Sequence, residues 1–384
     1  MKYAKRMSNL GTETAFEVLA KAKKLEAEGK HVIHLEIGEP DFDTPRNIID
    51  AAIKALNEGH THYTPSAGTL EVRTAIAKYV SKTRGLNFTP DEVVMTPGGK
   101  PIMFYAIIAL IEEGDEVIYP NPGFPIYESM INFMGGKAVP IPLREEKEFA
   151  FDPAELNNLI TSKTKMLILN SPQNPTGGIL SEKDIRKIAE IIKDKDIIVL
   201  SDEIYSRLVF DGEPFSISQI DGFKERTVIL DGFSKTYAMT GWRAGYGVMN
   251  EDLAAKVARL MTNSNSCTNA FVQKACVEAL EGPQDGADKM REEFIARRAI
   301  IVEGLNSIKG FSCIMPHGAF YAFPNITKTG YKSRDLNDHL LYNANVAALS
   351  GTAFGEYGEG YLRFSYANSR DNIKEAIKRI KQVL

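Results

Sequence analysis

Between Asp91 and Asn250, short runs rich in β-branched and aromatic residues alternate with segments of helical periodicity, and this alternation constrains the fold more than any other feature of the chain. Runs 93–96, 116–119, 138–141, 166–169, 197–200, 227–230 and 244–249 read as strands. Segments 101–112, 127–134, 154–159 and 182–193 read as helices between them. Parallel neighbours need a crossover of helix length, so this rhythm predicts a mostly parallel seven-stranded sheet with helices on both faces. Only a short segment separates the last two runs, which predicts one antiparallel member there.

A chain of 384 residues exceeds what one core usually fills, so a second unit is expected. Residues 1–45 are assigned to an N-terminal arm and part of a small domain, 46–280 to a large domain, and 281–384 to a small C-terminal α+β domain. The first thirty residues read as a helix, followed by a strand-like run at 32–37. From Arg46 to Asn57 the pattern is helical, with Ile48, Ile49, Ala52, Ile53 and Leu56 spaced for a buried face. A long helical region runs from 251 to 280, where Gly282-Pro283 breaks it. The C-terminal unit is expected to hold strands near 312–314, 320–323 and 361–365.

The charge balance narrows the partners. Lys and Arg number 46 against 50 Asp and Glu, a net −4, so no electrostatic reason exists to expect nucleic acid or an anionic membrane. The longest apolar run, 102–111, is short for a bilayer span. Residues 1–9 are polar and basic without an apolar run behind them, which predicts no secretory signal. Cys267, Cys276 and Cys313 are too few and scattered for a disulfide framework or a zinc site, which points to a reducing, cytoplasmic setting. His60 and His62 lack further ligands nearby, so no metal is expected.

Polar and glycine-rich segments fall just past the carboxyl ends of the strand candidates, where open α/β sheets bind ligands. Thr96-Pro97-Gly98-Gly99-Lys100-Pro101 turns a strand into a helix whose free N–H groups and dipole suit a phosphate. In Asn170-Ser171-Pro172-Gln173-Asn174-Pro175, prolines fix the backbone around a polar amide. Asp202 and Tyr205 follow the apolar run 197–200, and a buried acid there needs a partner such as a protonated heteroaromatic nitrogen. Lys235 follows the run 227–230, with Ser234 and Arg243 close by as anion ligands. A lysine held in a site is a competent amine nucleophile toward a carbonyl. Taken singly, each segment is an ordinary turn or surface residue. Together they bring a phosphate cradle, an amide, a carboxylate and a lysine to one sheet edge.

The strings Ser171-Pro-Gln-Asn-Pro-Thr-Gly, Asp202-Glu-Ile-Tyr205, Ser234-Lys235 with Met239-Thr-Gly-Trp-Arg243, and Arg363 in Tyr361-Leu-Arg-Phe-Ser-Tyr-Ala resemble the class I and II aminotransferases of pyridoxal-phosphate fold type I. The likeness runs from Gly38-Glu-Pro-Asp to Arg363. It implies an enzyme that moves an amino group between an L-amino acid and a 2-oxo acid, with 2-oxoglutarate and glutamate as the common pair. It also implies roles. Lys235 holds pyridoxal 5′-phosphate as a Schiff base and shuttles the proton, Asp202 pairs with the pyridine nitrogen, and Tyr205 and Asn174 face the ring oxygen. Gly99, Lys100, Ser234 and Arg243 hold the phosphate, with Lys100 contributing its backbone N–H rather than its charge. Phe124 lies on the ring face. Arg363 binds the substrate carboxylate with Asn174 and the backbone of Gly38. Tyr63 reaches the phosphate of a neighbouring subunit, which implies a homodimer with shared sites.

Two departures from relatives stand out. Gly232 replaces a serine found in some of them, and Ile108 falls near the position of a lysine that binds the distal carboxylate in some aspartate enzymes. Phe16, Ile37 and Ile108 are therefore expected to form an apolar distal wall, and the enzyme to accept aspartate or glutamate as well as apolar or aromatic donors. A lyase of the same fold stays open as an alternative. A regulator carrying an aminotransferase-like domain is disfavoured by the short segment ahead of Gly38 and the negative charge.

Overall fold

The computed structural model describes residues 1–384. Twelve strands occur in chain order: β1 (Ile33–His34), β2 (Val93–Thr96), β3 (Glu116–Asn121), β4 (Lys137–Pro142), β5 (Thr164–Asn170), β6 (Ile198–Asp202), β7 (Thr227–Gly232), β8 (Gly245–Val248), β9 (Tyr321–Ala322), β10 (Val346–Ala347), β11 (Leu349–Ser350) and β12 (Leu362–Ser365). Seven form one sheet in the order β2-β8-β7-β6-β5-β3-β4. Only β8 runs antiparallel, against β2 on one side and β7 on the other. The seven runs read from sequence are these seven strands, and the expected antiparallel member is β8.

Helices cover both faces. On one side Ile102, Tyr127 and Val257 pack against Ile168 and Leu200 of the sheet. On the other, Ile185 and Ile188 meet Leu167 and Val199, and Ile76 and Cys276 meet Ile229 and Tyr246. The central strands are buried along their length, as a parallel sheet covered on both faces requires. The C-terminal part forms a smaller α+β unit in which β11, β12 and β9 make an antiparallel sheet beside the long helix Asp285–Asn306. Ile33 and Leu35 share one core with Phe294, Phe320 and Phe364, so the chain near β1 packs with the C-terminal unit.

Several local expectations change. The first helix is Ala15–Ala27, preceded by a single 3-10 turn at Lys5–Asn9. Its buried face is Val18, Ala22 and Leu25, while Phe16 is exposed at the mouth of the cleft described below. The run 32–37 is strand only at β1, because its parallel partner β10 offers two residues. In the helix Arg46–Asn57 the buried stripe is Ile48, Ala52 and Ala55, narrower than expected, and Ile53 and Leu56 stay exposed. The small alanines let the helix Ala270–Glu281 approach closely. The region after 251 is two helices, Glu251–Ser264 and Ala270–Glu281, parted where Ser266 takes a positive φ of 66°. Near 312–314 only a bridge from Ser312 to Asn325 forms.

Candidate active site

The carboxyl ends of β5, β6 and β7 open into a cleft of about 360 Å³. Every residue assigned to the cofactor or to the substrate carboxylate lines it except Tyr63. Asp202 ends β6, Asn174 lies in the turn after β5, and Lys235 sits three residues beyond β7. The turn after β5 is held by Asn170, whose side chain accepts from the Asn174 N–H (3.1 Å) and donates to the carbonyls of Pro172 and Asp202.

On the floor of the cleft, the Lys235 ammonium donates to the Gly38 carbonyl at 2.5 Å. Burial pushes Lys235 down to about 8, and the nearby cations Arg363 and Lys100 push the same way against Glu39 and Glu13. Asp202 is buried, and burial raises its carboxyl to about 6. Against this, the Tyr127 hydroxyl donates to Oδ2 at 2.5 Å and the Ile204 N–H to Oδ1 at 3.2 Å. No side-chain cation bonds this carboxylate, and Lys235 acts on it only through the field.

One end of the cleft is built for an anion. The helix Lys100–Leu110 begins at Gly99 with no side-chain cap, which leaves its first N–H groups and its dipole facing the cleft. Arg243 and Ser234 line the same end. The Arg243 guanidinium donates to the carbonyls of Thr240 (2.9 Å) and Pro97 (3.3 Å), and a Cβ at Gly98 would collide with it. At Gly232 a Cβ would come within 3.0 Å of the Gly245 Cα, so β8 packs too closely for a serine without adjustment.

Across the cleft, Arg363 on β12 is 4% exposed. Its guanidinium donates to Asn174 Oδ1 at 3.1 Å and to the Glu36 carbonyl, while Nε–H has no partner. Its centre lies 4.5 Å over the ring of Tyr321 and 4.9 Å over that of Phe354. Burial lowers its pKa, the direction expected for an unpaired buried cation. The Tyr205 and Tyr321 hydroxyls are 2.6 Å apart. Phe124 meets Tyr127 edge to face at 5.6 Å.

Of the three residues expected to form the distal wall, Phe16 and Ile37 line the cleft and Ile108 does not. It lies eight residues into the helix that starts at Lys100, roughly 12 Å along its axis, and faces a separate groove with Lys256 and Arg259. Met103, one turn from Lys100, lines the cleft instead. At Lys100 the ammonium as well as the backbone lies at the cleft. It pairs with Glu13 and lies 5.4 Å over the Phe124 ring. Tyr63 is 89% exposed and outside the cleft of its own chain.

Tyr127, Glu13, Asn170 and Tyr321 were not singled out from sequence. Tyr127 sits about one helical turn beyond Phe124 and reads as core. Tyr321 belongs to the aromatic run 320–323, where nothing separates a site residue from packing. Glu13 precedes the sheet by eighty residues and is brought over only by the folded N-terminal segment.

The family model described as aminotransferase class I and II matches residues 30–380. An aspartate aminotransferase of Bacillus subtilis is 40% identical, covering 100% of this chain and 98% of that protein. An aromatic-amino-acid aminotransferase of Thermococcus litoralis is 39% identical, covering 92% of each. The solved aspartate aminotransferase of Thermus thermophilus with maleate superimposes with a TM-score of 0.96 at 34% identity, covering 100% of both chains.

Proposed function

The chain belongs to the class I and II aminotransferases, and from that premise we propose that it uses glutamate and 2-oxoglutarate as the common pair and accepts both acidic and apolar or aromatic partners. It is a pyridoxal-phosphate-dependent enzyme moving amino groups between amino acids and 2-oxo acids. The observation carrying the donor range is the Lys100–Glu13 pair over Phe124, beside Phe16 and Ile37. A pocket of apolar walls rejects a carboxylate by its desolvation cost unless a cation attends it. Lys100 is such a cation, neutralised by Glu13 when the donor brings no charge and released to a distal carboxylate when it does. Relatives named for aspartate and for aromatic amino acids support a fold that tolerates both.

The residues fit pyridoxal phosphate. An uncapped helix start with Arg243 and Ser234 suits its phosphate, and a buried carboxylate without a bonded cation suits a protonated ring nitrogen. When bound, the cofactor supplies an electron sink for the substrate α-carbon. Lys235, with its lowered pKa, would hold the cofactor through its amine and would take and return the substrate α-proton. Asp202, braced by Tyr127, would face the ring nitrogen and favour its protonated form. Tyr205 and Asn174 would hydrogen-bond the ring oxygen, and Phe124 would wall the ring site. Gly99, the Lys100 N–H, Ser234 and Arg243 would hold the phosphate. Arg363, with an unpaired Nε–H, binds the substrate α-carboxylate with Asn174 and the Gly38 backbone, a planar fork that lysine lacks.

Tyr63, exposed in the single chain, is proposed to reach the phosphate of a neighbouring copy, making a homodimer with shared sites. The chain is proposed to divide into an arm at 1–45, a large domain at 46–280 and a small domain at 281–384; β1 packs on the C-terminal core, and a further core joins residues of all three, such as Val18, Leu167 and Leu349. Three free thiols support a cytoplasmic setting, and no helix is long and apolar enough to cross a membrane. The test is kcat/KM for aspartate, alanine, phenylalanine and tyrosine against 2-oxoglutarate. Preference for aspartate over every apolar donor by more than about four decades rejects the broad range, since such a gap needs dedicated polar groups.

A further inference from the structure

We infer that Tyr321 is a positioning residue joining the carboxylate anchor Arg363 to the phenol of Tyr205. The inference rests on the aminotransferase reading of the cleft. Tyr321 stands on β9, which pairs with β12, the strand carrying Arg363. Its ring supports the Arg363 guanidinium at 4.5 Å, and its hydroxyl is 2.6 Å from that of Tyr205. Both tyrosines are buried, and neither hydroxyl has another hydrogen-bond partner in the chain. Gly38 makes the arrangement possible, because a Cβ there would collide with the Tyr321 hydroxyl, while the Gly38 carbonyl holds Lys235. Residues assigned to the carboxylate and the ring oxygen therefore converge on one side chain, beside the Gly38 backbone that holds the reacting amine.

The direction of the hydrogen bond follows from counting protons. Each phenol has one. Once Tyr205 donates into the cleft, the bond between the two oxygens must be donated by Tyr321. A donor that also accepts is polarised and donates more strongly, so Tyr321 strengthens the hydrogen bond that Tyr205 makes to the ring oxygen. Its ring, held under Arg363, limits where its own hydroxyl can point. The charged groups facing the pair are Arg363 from β12, Asp202 at the end of β6, Lys235 after β7 (whose ammonium lies 6.0 Å from the Tyr205 ring) and Glu13 from the N-terminal segment. Burial raises both phenols away from ionisation, so both keep their protons.

Tyr321→Phe removes the hydroxyl and keeps the ring, and Tyr321→Leu removes both. Each variant is loaded with pyridoxal phosphate, its chromophore is titrated against pH, and the dissociation constant of succinate is read from the same spectra. Tyr321→Phe should raise the chromophore midpoint by about half a pH unit and leave succinate binding within about threefold. Tyr321→Leu should show the same rise and bind succinate about tenfold more weakly. In a Tyr205→Phe background, Tyr321→Phe should move the midpoint no further. An unmoved midpoint in Tyr321→Phe, or an equal shift with and without the Tyr205 hydroxyl, overturns the inference. Undiminished succinate binding by a folded Tyr321→Leu overturns its Arg363 half, and if that variant does not fold the Phe pair decides. Failure of the wild type to form any chromophore removes the reading of the cleft itself, an outcome distinct from all the others.

Discussion

Replacing Lys100 with methionine keeps the backbone N–H and the length of the side chain but removes the cation from the cleft. The Lys100 side chain is 47% exposed and that of its partner Glu13 20%. At that partial exposure an effective dielectric near 20 gives a gross attraction of about 4 kcal/mol for two charges 4 Å apart. Much of this is already spent on Glu13, and a substrate carboxylate gains only by exchange. A net worth of about 1.5–3 kcal/mol, typical of a hydrogen bond to a charged group, corresponds to a loss of roughly 10- to 150-fold in kcat/KM for aspartate. Phenylalanine, which never recruits the cation, should change less than about threefold. Glu13→Gln should act with opposite signs on the two donors. It frees Lys100 for aspartate, raising kcat/KM a few-fold, and leaves an unneutralised ammonium beside an apolar side chain, lowering it for phenylalanine. Steady-state kinetics with both donors against 2-oxoglutarate make the comparison. An equal loss for aspartate and phenylalanine in Lys100→Met would show that Lys100 serves the phosphate end alone.

Borohydride reduction of the loaded enzyme and peptide mapping should place the pyridoxyl group on Lys235, and a label on any other lysine refutes that assignment. Asp202→Asn should still bind the cofactor while slowing the first half-reaction by on the order of 10²–10³-fold in single-turnover measurements. In the cofactor-free protein the same change should stabilise. A carboxyl raised from 3.8 to about 6 is favourable while protonated, and that advantage is lost as pH rises through this window. Asp202→Asn should therefore melt higher than the wild type at pH 7–8, by on the order of 2–3 kcal/mol, and converge with it near pH 4 in denaturation experiments. Mixing Lys235→Ala chains with Tyr63→Phe chains should restore part of the activity, because one site in each mixed dimer escapes both lesions. No recovery despite confirmed subunit exchange refutes the shared site.

The sheet was legible because its strands are short, apolar and separated by helix-length segments, a local signal that tertiary context does not alter. The polar strand ends were legible for a related reason, since Asn174, Asp202 and Lys235 stand just past runs whose burial the sequence already announces. Ile108 falls elsewhere because register within a helix decides which side chain reaches a cleft, and eight residues carry a position about two turns away. Tyr321 and Tyr127 escaped notice because a buried tyrosine beside other aromatics looks like core until its hydroxyl partner is known. Glu13 was invisible for a topological reason, as no local pattern tells an N-terminal segment which cleft it will cross.

That crossing matters for how such an enzyme can change. The groups assigned to bond making and breaking are rooted in the central strands and their immediate turns, where a substitution disturbs a close-packed interior. The distal wall is supplied largely by Glu13, Phe16 and Ile37, from chain that precedes the sheet altogether. Selection can therefore act on the two with little interference: drift in the leading segment retunes which side chains are admitted, while the reaction machinery is inherited intact. Libraries confined to Glu13, Phe16 and Ile37 should therefore explore donor preference at low cost in folding.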